Sequence, residues 1–161
     1  MSILVPMTES EYNEFASQTV PEYAAEKIAS GEWSAEEALG LAREAFCELL
    51  PEGLNTKDNH LFTIRETPGT PALGVLWYAV QERGGKSIAY IYEIHIKPEH
   101  RQKGYATAAL LALESDVSRL GFAGIALHVF GNNHAAQSLY RKLGYMPSNI
   151  TMFKPLESTS S

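Results

Sequence analysis

The first part of the chain carries the start signals of helices, and apolar residues recur at helical spacing behind Ser34. Thr8 followed three residues later by Glu11 forms a capping box, in which each side chain accepts a hydrogen bond from a free amide at a helix start. A helix is therefore predicted from Glu9. Pro21 suits the first turn of a second helical segment, "PEYAAEKIAS", which ends near Gly31.

A third helix is predicted between residues 34 and 50. Ser34 and Glu37 form a second capping box, and apolar residues recur behind it at helical spacing. The helix should stop before Pro51, because proline lacks an amide proton and cannot continue the pattern. The single cysteine, Cys47, falls within this helix and is predicted to be a buried structural thiol.

The apolar period changes to that of β-strands from residue 61. "LFTIRE", "ALGVLWYAVQE" and "SIAYIYEIHI" predict three consecutive antiparallel strands, and Gly84-Gly85 suits the tight turn between the last two. Gly74 lies inside the second of these strands. It permits a close approach of another group, or it marks a bulge. The early "ILVP" is also strand-like.

The remaining chain alternates helices and strands. A helix that follows Pro98 ends at Gly121, "AGIALHVF" is a strand, "NHAAQSLYRKL" is a helix that ends at Gly144, and "YMPSNITMFK" is a last strand. The strand, helix and strand between residues 87 and 130 form a crossover unit, whose two strands should be parallel.

These elements predict a mixed α/β (α+β) fold. Its central sheet combines an antiparallel meander with a parallel βαβ pair, and helices cover both faces. A length of 161 residues fits one domain, here residues 1–156, and the polar end at residues 157–161 is expected to be disordered.

Charge divides the chain into two unlike parts. Residues 1–52 contain eleven glutamates and two bases, a net charge of −9, whereas residues 53–161 contain eight acids and eleven bases, a net charge of +3. The total of −6 argues against general nucleic-acid binding. The acidic part either is a set of solvated helix faces or, together with Tyr12, Tyr23 and Trp33, forms an acidic entrance that attracts a cationic substrate. Without a signal peptide or a membrane-spanning apolar run, a cytoplasmic protein with no membrane partner is expected.

The stretch "HRQKGYA" joins a strand to a helix and suits an anion. Helix N-termini carry free amides and a partial positive charge, and Arg101 and Lys103 add charge beside them. Gly104 tolerates the backbone angles of a tight loop, and Ala106 keeps the next contact small. The glycine spacing fits neither a P-loop nor a dinucleotide-binding turn. An ordinary charged loop is the alternative interpretation.

"RQKGYA" resembles the Arg/Gln-x-x-Gly-x-Gly/Ala signature of the GNAT N-acetyltransferase family, although glycine is common where Ala106 stands. "NNHAAQSLYRKLGY" is similar to the second motif of that family. The resemblance extends from about residue 61 to residue 154. It implies a cytoplasmic enzyme that binds acetyl-coenzyme A at this turn and uses no metal.

The resemblance also implies positions for the groups that bind acetyl-coenzyme A. In the family, the pantetheine arm pairs with the strand edge, the pyrophosphate meets the turn, and an asparagine and a tyrosine lie near the arm and the thioester. By position these groups are Ile94, His95 and Ile96 on the edge, Arg101, Gln102, Lys103, Gly104, Tyr105, Ala106 and Thr107 in the turn, and Asn133 and Tyr140. Asparagine is also a common helix cap, and both roles are compatible.

Two catalytic residues are proposed from the same resemblance. Tyr140 would protonate the departing thiolate, and a backbone amide near His95 would meet the oxyanion. Strand alternation places Glu93 and His95 on one face, opposite Tyr90, Tyr92, Ile94 and Ile96, if no bulge interrupts the strand. Some family members carry the base at the position of Tyr92. The favoured base is Glu93, with His95 or a water chain as alternatives, and a solvated or hydrogen-bonded Glu93 without a catalytic role fits the pattern equally well.

The predicted function is direct acetyl transfer to a primary amine in a ternary complex, with an unidentified small amine or peptide as acceptor. Acetyl is preferred to an acidic acyl group, because Lys27 and Arg43 are the only early bases. The alternative is a non-catalytic acyl-coenzyme A binding or sensing module. Exposed strand edges and the "YMPSNITMF" segment would suit a homodimer.

Overall fold

The computed structural model describes residues 3–157, which build one five-stranded sheet with helices on both faces. None of the helices in this range is both long and apolar enough to cross a bilayer. The elements in chain order are β1 (Leu4–Pro6), α1 (Glu9–Ala29), α2 (Ala38–Leu49), β2 (Asn59–Ile64), β3 (Gly74–Arg83), β4 (Lys86–Ile96), α3 (Tyr105–Arg119), β5 (Gly124–Leu127) and α4 (His134–Lys142), with 3-10 turns at Gly53–Asn55 and Pro98–His100.

The sheet has the strand order β1-β2-β3-β4-β5. The first four strands pair antiparallel, and β5 pairs parallel to β4 after the crossover through α3. Gly84 and Gly85 both have positive φ angles, 61° and 78°, as the hairpin between β3 and β4 requires. The predicted mixed sheet is confirmed, with "ILVP" supplying a fourth antiparallel strand.

Each face of the sheet has its own apolar core. On one face, buried α3 residues such as Leu110 and Leu113 pack against Leu76 and Ile91 of the sheet. On the opposite face, Trp77 belongs to a cluster that α1 and the end of α2 cover. The sheet is therefore buried on both sides, and only its ends and edges remain for a binding site.

Helix α1 is one continuous helix of 21 residues with Pro21 inside it. The predicted start at Glu9 and the capping box are confirmed: the Thr8 amide donates to Glu11 at 2.9 Å, and the Glu11 amide donates to Thr8 at 3.2 Å. The predicted break at Pro21 is wrong. A proline in a helix removes one backbone hydrogen bond, and the packing of Phe15 and Ala24 on either side outweighs that loss.

Helix α2 begins at Ala38, four residues later than its predicted cap at Ser34. The residues between form a turn, in which the Ala38 amide donates to the Ser34 carbonyl at 3.1 Å. The helix ends before Pro51, as predicted. Cys47 is exposed on this helix, so its predicted burial is wrong.

The predicted last strand is absent from the described residues. From Tyr145 to Glu157 the backbone pairs with no strand, and its large apolar side chains face solvent. Proline at positions 147 and 155 also removes two amide donors that a strand would use. The predicted disordered tail lies outside the described residues, apart from Glu157.

Candidate functional site

A cavity of about 390 Å³ lies where β4 and β5 separate. The pairing of the two strands ends at Ile91 and Leu127, whereas β4 continues to Ile96 and pairs with no strand on that side among residues 3–157. A parallel pair that opens in this way exposes backbone groups of β4 to a ligand. The cavity is lined by Thr19, Val20, Tyr23, Glu26 and Lys27 of α1, Ala42, Ala45, Phe46 and Leu49 of α2, Trp77, Tyr90, Ile91, Tyr92, Glu93 and Ile94 of the sheet, and Leu127, His128, Val129, Phe130, Asn133, Ala136 and Tyr140.

A β-bulge at Tyr92 sets the direction of the side chains in the last part of β4. Trp77 pairs with Glu93, but Tyr78 pairs with Ile91, so Tyr92 is one extra residue. The predicted alternation is therefore wrong upstream of Glu93. Tyr92 joins Trp77 in the cluster below α1 and α2, with ring centroids 4.8 Å apart, and Tyr90 lies 4.9 Å from Tyr92.

Glu93 lies at the wall of this cavity and holds its proton unusually strongly. Burial raises the pKa of its carboxyl from 4.5 to about 8, and the negative charges of Glu26 and Glu22 act in the same direction. Both of these glutamates belong to α1, so the helix and the strand face each other across the cavity. A carboxyl with this pKa is mostly protonated at pH 7 and half ionised near pH 8, so it gains the proton-accepting form of a general base at slightly basic pH.

Tyr140 of α4 lines the same cavity as Glu93. Burial raises the pKa of its phenol above 10, and the charge of Glu93 adds to this effect. The phenol therefore stays protonated at neutral pH and is able to donate a proton. The structure brings together the two residues that the sequence singled out for catalysis.

His95, the alternative base, is half-buried but is not among the residues that line the cavity. Burial lowers the pKa of its imidazole, and the positive charge of Arg101 lowers it as well, against the opposing charge of Glu22. His95 is thus neutral at pH 7. Among residues 3–157, no three His, Cys, Asp or Glu side chains come together in a way that would hold a metal ion.

The "HRQKGYA" stretch forms a tight turn that opens α3. Two of its residues have left-handed backbone angles, Gln102 with φ 61° and Gly104 with φ 81°. A second cavity of about 280 Å³ lies here, between the turn, the first turn of α3 and Leu139 of α4. The residues of the first turn of α3, whose amides have no partner within the helix, line this cavity, and such a position suits phosphate groups. It is lined by Ile96, His100, Arg101, Gln102, Gly104, Tyr105, Ala106, Thr107 and Leu139.

Hydrogen bonds within the protein fix the side chains of Arg101 and Tyr105 in and after this turn. The Arg101 guanidinium donates from Nε to the Ile96 carbonyl at 2.8 Å, which fixes its charge beside the end of β4. The Tyr105 hydroxyl donates to the carboxylate of Glu66. Lys103, in the same turn, is exposed and does not line either cavity.

Asn133 caps α4, as predicted for an asparagine at a helix start. Its side-chain oxygen accepts a hydrogen bond from the Ala136 amide at 3.2 Å. Asn133 also lines the large cavity. The loop before it is secured by Gln137, whose side chain donates to the carbonyls of Phe130 and Gly131.

Sequence reasoning missed an aromatic group around Lys27. The ammonium of Lys27 lies 5.6 Å from the ring centroid of Tyr23, 5.5 Å from that of Trp33 and 5.9 Å from that of Phe130. It also forms an ion pair with Glu32 at 3.1 Å. The helical spacing of Tyr23 and Lys27 was a visible signal, but nothing in the sequence relates them to Phe130, which is distant along the chain.

Few of the early glutamates reach the cavity. Glu26 lines it and Glu22 acts on Glu93 through its charge, but the other early glutamates are not among the lining residues. Tyr23 lines the cavity, as does Phe46, whereas Tyr12 and Trp33 do not. The acidic entrance expected from composition is thus narrowed to one stretch of α1.

Comparisons with known proteins agree with this fold and show its family. A model described as the acetyltransferase (GNAT) family matches residues 22–145. The uncharacterized N-acetyltransferase YycN of Bacillus subtilis is 33% identical over 154 residues, which covers 96% of this chain and 98% of that protein. YdgE of the same organism is 33% identical over 95% of this chain and 97% of its own length. The crystal structure of YycN superposes with a TM-score of 0.91 over 96% of this chain and 98% of that chain.

Proposed function

Because the chain belongs to the GNAT family of acetyltransferases, we propose that it transfers an acetyl group from acetyl-coenzyme A directly to a primary amine. One observation carries the proposal: Glu93 and Tyr140 line the same cavity, at the point where β4 leaves β5. A base and an acid in the walls of one cavity are what acyl transfer to an amine requires.

The two cavities suit the two parts of the donor. The turn at residues 101–107 would hold the pyrophosphate by its amides and by Arg101, and the unpaired edge of Ile94, His95 and Ile96 would pair with the pantetheine arm. The Ile96 carbonyl already accepts from Arg101, so we expect the arm to bond mainly with the residues before it. Asn133 lies where its amide group would contact the same arm.

Protons in the reaction are assigned to two side chains. Glu93 removes a proton from the acceptor ammonium, which leaves a nucleophilic amine. The amine nitrogen forms a bond to the acetyl carbon, and the bond from this carbon to sulfur breaks. Tyr140 gives its proton to the departing thiolate and regains one from the new amide nitrogen. Glu93 then releases its proton to solvent, so that the net reaction produces one proton.

The acceptor side of the cavity favours a cationic amine. Glu26 brings negative charge, and the rings of Tyr23, Tyr90 and Tyr92 offer faces to a cation. Lys27 is also present, but Glu32 neutralises it at 3.1 Å, so an acidic acyl group gains little from it. We therefore propose acetyl as the transferred group.

The test is release of free coenzyme A from acetyl-coenzyme A in the presence of a panel of polyamines, arylalkylamines and short peptides. Amine-dependent release should fall about 10²-fold in Tyr140→Phe, the lower end of what a positioned acid contributes. Tyr145→Phe is the matched control, because its ring lies 5.7 Å from that of Tyr140 but does not line the cavity. Tight binding of acetyl-coenzyme A with no release for any amine would favour the sensing module instead.

A further inference from the structure

Lys27 is the one lysine or arginine that lines the large cavity in the described part of the chain. Its ammonium is enclosed: three ring centroids lie between 5.5 and 5.9 Å from Nζ, and a carboxylate oxygen of Glu32 lies at 3.1 Å. The side chain of Lys27 is only 18% exposed, although lysine usually extends into water. We name Glu32 and the three rings, those of Tyr23, Trp33 and Phe130, the lysine cage.

The lysine cage is fixed by bonds that do not involve the ammonium. The Lys27 carbonyl accepts from the Glu32 amide at 3.0 Å and from the Trp33 amide at 3.3 Å. The Ser30 hydroxyl donates to the Glu32 carboxylate at 2.9 Å. The rings of Tyr23 and Trp33 meet edge to face, with centroids 5.5 Å apart and an interplanar angle of 89°. The cage is thus a preformed site for one ammonium ion, which the chain fills with its own lysine.

Two acids of the same cavity have no cation beside them. Glu26 and Glu93 both line the cavity, and neither forms an ion pair with any of residues 3–157. Burial raises the pKa of both carboxyls, and the charge of Glu22 acts on both in the same direction. Buried acids gain from a counterion, and the flexible stem of a lysine would let it serve as one. The lysine cage therefore keeps Lys27 from two acids that it would stabilise.

We propose that the lysine cage leaves Glu26 and Glu93 without an internal counterion, so that the ammonium of the acceptor becomes their counterion. This inference rests on the proposed acetyl transfer and adds the residues that make the cavity select a cationic amine. Glu32 and Trp33 do not line the cavity, so they act through Lys27 and are positioning residues. A neutral acceptor brings no counterion and gains nothing from this arrangement.

Other groups around Glu93 do not take the place of this lysine. Burial raises the pKa of the Tyr90 and Tyr140 phenols, which are therefore neutral near pH 8. The charge of His128 favours the ionised form of Glu32, on the side of the cage. Lys27 is thus the cation whose release would change the ionisation of Glu93. The titratable side chains that line the cavity with Glu93 are Tyr23, Glu26 and Lys27 of α1, Tyr90 and Tyr92 of β4, His128 after β5, and Tyr140 of α4.

The test combines variants of Glu32 and Lys27 and measures the acceptor KM. Glu32→Gln removes the carboxylate of the cage and frees Lys27 to turn toward Glu26 and Glu93. The acceptor KM should rise about 10-fold, because the acceptor ammonium then competes with an internal one. In a Lys27→Met background, where an unbranched side chain still contacts the rings, Glu32→Gln should change the KM less than about 2-fold. Glu36→Gln, in the exposed turn before α2, removes an equal charge and should leave the KM unchanged.

A second measurement needs no turnover, so it separates this inference from the proposed function. It is a ¹³C NMR titration of the Glu93 carboxyl, identified by its absence in Glu93→Gln. The midpoint should lie about 1 pH unit lower in Glu32→Gln, since a nearby positive charge favours the carboxylate, and should return when Lys27→Met is added. If the wild type releases no coenzyme A with any amine, the proposed function fails and this titration alone decides the inference.

Three outcomes overturn the inference. One is an equal rise of the acceptor KM on Glu32→Gln with Lys27 present or replaced, which would show no coupling between the two residues. Another is an unchanged midpoint of Glu93 in Glu32→Gln. The third is a rise of the KM that disappears at about 0.5 M salt, because a contact inside the cavity is screened far less than attraction over distance.

Discussion

Gly74 and His95 approach each other so closely that a β-carbon on Gly74 would lie 2.1 Å from the His95 carbonyl oxygen. The contact joins β3 to the last part of β4, the part that extends past β5 into the large cavity. Backbone cannot move aside as a flexible side chain does. The sequence allowed two explanations for this glycine, a close approach of another group or a β-bulge. The structure shows the close approach, and the bulge lies at Tyr92 instead.

Gly74→Ala is therefore expected to displace the end of β4. The free energy of unfolding should fall by about 1–3 kcal/mol, as for other overpacked sites. The KM for acetyl-coenzyme A should rise at the same time, because the end of β4 is the proposed partner of the pantetheine arm. Urea denaturation and steady-state kinetics measure the two effects. Gly40→Ala, in α2 with open space around it, should be neutral or stabilising. Equal behaviour of the two variants would contradict the argument.

The rate of acetyl transfer should rise with pH around the pKa of Glu93. The carboxylate is the active form of the base, and its pKa is about 8, so kcat/KM for the acceptor should increase through this pH. Glu93→Gln should lower the rate and remove this ionisation from the profile. Glu48→Gln, on the exposed surface of α2, should leave the profile unchanged. A profile that keeps its midpoint in Glu93→Gln would assign the base to another group.

The same pKa predicts how stability depends on pH. Glu93 binds its proton more strongly in the folded chain than in the unfolded chain, with a pKa of about 8 against 4.5. Its contribution to stability is fully present below pH 4.5 and is lost as pH rises through 8. Glu93→Gln has no proton to lose. Its free energy of unfolding, relative to that of the wild type, should be higher by a few kcal/mol at about pH 9 than at about pH 5. Urea denaturation at both pH values tests this, and parallel pH curves would refute it.

Gly104 and Gly121 allow a matched test of the proposed site for acetyl-coenzyme A. Both have a φ angle of 81° and open space where a β-carbon would lie, but Gly104 opens α3 and Gly121 follows its end. Alanine at either position should cost about 1–2 kcal/mol of stability, the strain of a left-handed backbone. The KM for acetyl-coenzyme A should rise several-fold only in Gly104→Ala, where the backbone shift disturbs the anion-binding turn. A rise in both variants would indicate general destabilisation.

Charge on α1 should determine the affinity for the acceptor. The double variant Glu22→Gln with Glu26→Gln removes the two negative charges that act on Glu93. The acceptor KM should increase, most strongly at low salt, where attraction over distance is least screened. The pair Glu36→Gln with Glu37→Gln changes the net charge equally but lies in the exposed turn before α2. If the acceptor KM of Glu22→Gln with Glu26→Gln stays constant at low salt, the proposal that these charges attract the acceptor is wrong.

Local motifs accounted for most of what the sequence predicted correctly. The turn at Gly104, the stop at Gly121 and the cap at Asn133 each depend on residues within a few positions, and all three are present. The order of strands followed from short hairpins and one crossover. The two proposed catalytic residues come from separate motifs, but the parallel pairing of β4 with β5 brings α4, which follows β5, to the cavity beside β4.

Interactions between distant segments account for what was missed. The bulge at Tyr92 requires pairing of β4 with β3, and the alternation in the sequence continues through it unchanged. The group around Lys27 joins α1 to the loop after β5, which no local pattern indicates. The late start of α2 shows that a capping-box sequence is only a preference, since the observed N-cap is Glu37, without a side-chain hydrogen bond.

The bulge makes Tyr92 an extra residue of β4 in the lining of the large cavity. Deleting Tyr92 would restore a regular ladder and leave Glu93 opposite Trp77, with its direction unchanged. What would be lost is one aromatic ring, which stacks on Trp77 and accepts a hydrogen bond from Gln81 at 3.2 Å. Loss of this one residue would thus enlarge the large cavity without moving Glu93, the proposed base, so the shape of the cavity can change independently of the proposed chemistry.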